Sequence, residues 1–81
     1  EGKKMKSYNG HRSWNSWNIS LWLHNDDFLY SYWYGLKEEG LTLNHTVTLL
    51  MQELRGKKTP DGAVYNRLSI KKALEGAFTN E

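Results

Sequence analysis

Apolar residues recur along the second half of this chain with the period of a helix. Leu43, Val47, Leu50, Met51 and Leu54 form one stripe, which predicts a helix capped by Thr42 or Asn44 and ended by Gly56 after Arg55. Ile70, Ala73, Leu74, Ala77 and Phe78 form another, with Ser69 as the expected cap. Nearer the start, Leu29, Tyr32, Trp33 and Leu36 fall at i, i+3, i+4 and i+7. Asn25 reads as the N-cap of that helix, with Asp26 and Asp27 in a first turn where the helix dipole favours negative charge. Gly40 is placed to end it in a left-handed turn, while Gly35 inside it costs about 1 kcal/mol relative to alanine without forbidding it.

The segment Ser-Trp-Asn-Ser-Trp-Asn-Ile-Ser-Leu-Trp-Leu from Ser13 supports two periods. Trp17, Ile19, Leu21 and Leu23 alternate as in a strand, whereas Trp14, Trp17 and Leu21 have helical spacing. Ser13 and Ser16 are good caps, and a lone strand would lack a pairing partner, so a short helix is the preferred reading. Residues 1–7 read as a flexible basic arm that tightens near Tyr8 and the Asn9-Gly10 turn. The stretch Lys57-Lys58-Thr59-Pro60-Asp61-Gly62 has the residue order of a type I turn and is expected to be an exposed loop. The fold class expected is all-α: a compact bundle of about four short helices with an irregular N-terminal arm. Residues 8–81 then make one small domain, with the tryptophan segment lying across the later helices as organiser of the core. An α+β domain with residues 17–23 as a strand is the alternative.

Composition narrows the chemistry. At 81 residues there is room for one core, and four tryptophans, five tyrosines and two phenylalanines need the leucines, isoleucines and valines, or a second copy of the chain, to complete it. No cysteine is present, so disulfides, thiolate zinc sites and cysteine nucleophiles are excluded. A cytoplasmic protein is expected, because no apolar run nears the roughly 18 residues of a membrane span and Glu1 to Lys6 lack a signal-peptide core. The net charge of +2 is small but uneven, with Lys3, Lys4, Lys6 and Arg12 gathered at the start and acids in the middle.

Catalytic motifs are sparse. His11, His24 and His45 have no metal-site spacing, and neither a serine elbow nor a phosphate-binding glycine loop is present. The group His24-Asn25-Asp26-Asp27 brings imidazole and carboxylates together, but helix capping accounts for Asn25 and both acids. No catalytic residue, metal or cofactor is therefore expected.

Aromatic crowding is the more informative feature. Trp14, Trp17, Trp22, Tyr30, Tyr32, Trp33 and Tyr34 cannot all face one small core. Tyr30 and Tyr34, four apart, are expected to point away from the Tyr32 and Trp33 side and reach the surface, where such rings serve as protein-binding anchors or base-stacking platforms. Asn15 and Asn18 flank Trp17, either fixing neighbouring backbone or facing a ligand. Candidate partner-binding residues are therefore Trp14, Asn15, Asn18, Tyr30, Tyr34 and Arg12. Lys3, Lys4, Lys6 and Arg12 are the candidates for the alternative, nucleic-acid contact.

Tyr8-Asn9-Gly10-His11, the motif Trp17-Asn18-x-x-Leu21-Trp22-x-x-Asn25-Asp26 and the turn Thr59-Pro60-Asp61-Gly62-Ala63 resemble a group of short uncharacterised proteins of tailed bacteriophages. That group commonly carries Asn-Asp-Glu-Gly where this chain has Asn25-Asp26-Asp27-Phe28, which weakens any role tied to the acidic step. The resemblance implies no catalytic residue or cofactor. It implies a phage product in the infected host's cytoplasm that binds a host protein, including host-takeover or anti-defence inhibitors of the anti-CRISPR or anti-restriction type. A DNA mimic would be strongly acidic, unlike this chain. A small nucleic-acid binder and a homo-oligomeric assembly factor are the alternatives.

Overall fold

The structure is a computed structural model that describes residues 13–78. Four helices of twelve residues each follow one another: α1 (Trp14–Asn25), α2 (Asp27–Glu38), α3 (Leu43–Leu54) and α4 (Arg67–Phe78). The described residues contain no strand, only an isolated antiparallel bridge between Lys58 and Val64. The fold is an all-α bundle. None of these helices is long and apolar enough to cross a membrane.

Capping chemistry sets the helix starts. Ser13 accepts a hydrogen bond from the Ser16 amide, and Thr42 accepts one from that of His45, each satisfying an orphan donor of a first turn. Two expected caps are displaced. Asp26, rather than Asn25, caps α2 by accepting from the Leu29 amide, and Asn25 is the last residue of α1, donating its side-chain amide to the Leu21 carbonyl. α1 runs on until a single extended residue, Asp26, links it to α2, so the cap belongs to that link. Asn66, rather than Ser69, opens α4: its side-chain oxygen accepts from the Ser69 amide and its carbonyl from the Ile70 amide. Gly40 follows the end of α2 with a φ of 93°, as the left-handed stop requires.

The core joins all four helices through Ile19 and Leu23 of α1, Trp33 of α2, Val47, Leu50 and Leu54 of α3, and Ile70, Leu74 and Phe78 of α4. Ala63 and Tyr65 of the α3–α4 connection complete it. Its organiser is Trp33, 2% exposed, whose indole N–H donates to the Leu23 carbonyl at 2.9 Å. That carbonyl lies in the last turn of α1, where intrahelical donors run out, so one bond satisfies two buried polar groups. The segment from Trp14 to Trp22 does not supply the core tryptophans expected of it. Ile19 and Leu23 carry its inward face, Trp17 and Trp22 are half-buried, and the spacing Trp14, Trp17, Leu21 lies on the outer side. The two aliphatics lie four positions apart, matching the helix period and sharing one face, while the larger rings fall on other sides of the helix.

The α3–α4 connection also departs from a plain exposed loop. Thr59 and Ala63 are buried, the Gly62 amide donates to the Thr59 carbonyl across the turn, and Gly62 has a φ of 99°. Proline at the second position and aspartate at the third keep the turn residues anticipated for it. Its ends are pinned inward by side chains of α1.

Candidate interaction surface

Three side chains of α1 grip the turn. Asn18, 1% exposed, donates its amide N–H to Asp61 Oδ2 at 2.9 Å and accepts from the Thr59 hydroxyl at 2.6 Å. Thr59 Oγ1 in turn accepts from the Ala63 amide at 2.9 Å. One turn along the helix, the Trp22 indole N–H donates to the same Asp61 oxygen at 2.9 Å. One turn back, Asn15 exchanges two bonds with Val64: its amide donates to the carbonyl at 3.0 Å, and its oxygen accepts from the backbone N–H at 2.9 Å. Asn15 thereby acts as a backbone surrogate, pairing with an extended residue as a strand neighbour would. The bonds from Asn18 and Trp22 hold the Asp61 carboxyl below its ordinary pKa, by favouring the charged form. The repeated Trp-Asn step is therefore a clamp. Asn18 offers nothing to a partner, and the Asn15 amide is engaged within the chain.

A different group of aromatics reaches solvent. Tyr30 and Tyr34, one helical turn apart, are 40% and 41% exposed, and their rings stack with centroids 5.5 Å apart and planes 14° from parallel. They do not point away from Trp33 as expected. Its ring meets Tyr30 edge-on at 5.1 Å and Tyr34 at 6.0 Å, so the pair lies on the flank of the core residue. On an ideal helix the two tyrosines lie about 60° and 100° from Trp33, close enough for rings of this size to meet. His24 contacts the same indole at 5.4 Å, and its Nε2 donates to the Ala73 carbonyl at 2.9 Å, since a carbonyl can only accept. Lys37 Nζ lies 5.8 Å from the Tyr34 ring centroid, a cation held over an aromatic face.

Of the remaining candidates, Trp14 is 41% exposed on the outer side of α1. Lys3, Lys4, Lys6 and Arg12 lie outside the described residues. Sequence reasoning missed Phe28, which is 74% exposed beside the tyrosine pair in sequence, and Leu68, exposed on α4. Phe28 lies off the stripe of Leu29, Tyr32, Trp33 and Leu36, and that register was the available signal. A groove of about 590 Å³ opens where the first turns of α1 and α4 meet, lined by Ser13, Ser16, Ser69, Lys72 and Glu75 among others. Among the described residues, no three histidine or acidic side chains are grouped to hold a metal ion.

A family model described as a family of unknown function, DUF7249, matches residues 4–77. No curated protein and no solved structure matches the chain.

Proposed function

The chain belongs to DUF7249, a family of unknown function, and we propose that it is a non-enzymatic protein-binding module of phage origin that engages a host protein. The Tyr30–Tyr34 pair carries this reading. Two large rings stand in solvent, already stacked on each other and braced against Trp33, so little side-chain freedom remains to be lost on binding. Pre-ordered, half-exposed tyrosines are the residues that dominate protein interfaces. Trp14 is a second, separate anchor on α1. The same helix face that carries the tyrosines also carries exposed carboxylates, Asp27 and Glu38, which repel phosphate and favour a protein over a nucleic acid there. A role in redirecting or disarming host machinery, an anti-defence inhibitor included, follows from the phage reading.

The test is affinity capture of the tagged chain from infected cells, followed by reconstitution with whatever purified protein co-elutes. Binding is expected to weaken at least about tenfold on Tyr30→Ala with Tyr34→Ala, as hot-spot truncations do, with helicity unchanged. Recovery of no partner, or a partner indifferent to both tyrosines and to Trp14→Ala, would overturn the reading. Recovery of nucleic acid with a steep salt dependence would replace it with the basic-arm alternative.

A further inference from the structure

Asp27, Tyr30, Tyr34 and Glu38 fall at i, i+3, i+7 and i+11 of α2, and all four are exposed, as is Ser31 between them. They lie along one side of the helix, a strip with a carboxylate at each end and the stacked tyrosines in the middle. Asp27 is in the first turn of α2, where the helix dipole welcomes it. Glu38 is not explained that way. It is the last residue of the helix, and Glu39 caps it, so two carboxylates sit at the negative end of the dipole. Among the described residues, no side chain pairs with the carboxylate of Asp27 or of Glu38. The tyrosine faces suit cations, and Lys37 over Tyr34 shows one ring already used so.

We propose that this strip is a docking site for a cationic protein segment whose arginine or lysine side chains lie against the tyrosine pair and pair with Asp27 and Glu38. The proposal rests on the protein-binding reading above and adds the chemistry of the partner. Charge complementarity is its warrant: the exposed carboxylates Asp27, Glu38 and Glu39 outnumber Lys37 along α2 and its cap. Arginine fits best, because its planar guanidinium both stacks on a ring and pairs with a carboxylate. The geometry also fixes a spacing. Eleven helical steps place the two carboxylates about 16 Å apart, the reach of about five residues of an extended chain.

The probe is a twelve-residue peptide with two arginines five positions apart among glycine and serine, titrated into the full chain and followed by amide chemical shifts. Saturable shifts confined to α2 are expected, weakened roughly fivefold by Asp27→Asn with Glu38→Gln and lost on Tyr30→Ala with Tyr34→Ala. A peptide with glutamate in place of both arginines should not bind. Shifts away from α2, equal binding of the glutamate peptide, or no binding at all would overturn the proposal. It would likewise fall if a captured host partner bound the Asp27→Asn, Glu38→Gln variant unchanged yet lost affinity on Tyr30→Ala, a result that leaves the protein-interface reading standing.

Discussion

Asn18 is the residue on which the α1–turn contact depends. Its amide is buried and each end is used once, by Asp61 and by Thr59. Asn18→Ala leaves the Thr59 hydroxyl proton without its acceptor in the interior and should lower stability by about 1–3 kcal/mol, read as a shifted urea midpoint at pH 7. Asp61 gives the same clamp a pH signature. Its folded pKa lies below the ordinary value of 3.8, so the unfolded chain takes up a proton first as pH falls. The stabilisation is whole above about pH 4 and is lost below it, as pH falls through the folded pKa. Thermal scans between pH 7 and 2 should show Asp61→Asn with a shallower acid decline than the parent chain. The asparagines were conspicuous in the sequence beside Trp17, but their partners were not, because Thr59, Asp61 and Val64 lie some forty to fifty residues away. No local rule links a helix amide to a turn at that separation.

The last three helices were legible from their apolar periods, and what went astray was the edge. Asn25, Asp26 and Asp27 are all acceptable caps, and local chemistry cannot choose among them. The choice follows from how far α1 continues, and the Trp33 indole bonded to the Leu23 carbonyl holds its last turn. Asp26→Ala should therefore cost about 1 kcal/mol of stability, whereas Asn25→Ala should cost only a few tenths, measured by chemical denaturation of both variants. Equal effects would contradict the assignment. α1 shows the converse difficulty. Its alternating pattern contains the true core positions, Ile19 and Leu23, whereas its helical one, Trp14, Trp17 and Leu21, lies on the outer side, so the tryptophans were the wrong guide to its inward face. Large rings with a polar N–H sit readily at a half-wet boundary, as Trp22 does over Asp61.

Across the whole molecule, Trp33 joins α2 to α1 through the Leu23 carbonyl and to α4 through Phe78, whose ring lies 6.3 Å away. Trp33→Ala should cost about 3–5 kcal/mol and broaden or abolish cooperative melting, whereas Trp14→Ala should leave the melting midpoint nearly unchanged. At the alkaline end, burial, reinforced by the Asp26 carboxylate, raises the Tyr65 phenol above its usual pKa of 10.0. The unfolded chain then releases that proton first, so stability should fall as pH rises above about 10, an effect that Tyr65→Phe removes. The all-α class was readable because apolar periods and turn residues agreed over the last three helices, and because a lone strand at residues 17–23 would have had no pairing partner. The exposed strip on α2 was only half readable, since the tyrosines were evident but the alignment of Asp27 and Glu38 with them emerges once the helix register is known.

The clamp has a consequence for how the chain holds together as pieces. Asn15, Asn18 and Trp22 belong to the half before Gly40, while Thr59, Asp61 and Val64 belong to the half after it, and α1 also packs against α4. The two halves meet covalently only at the exposed Gly40 corner, yet they interlock through buried apolar side chains and these bonds. A chain nicked at Gly40 should therefore stay assembled, and separately made halves should find each other and refold as a noncovalent pair.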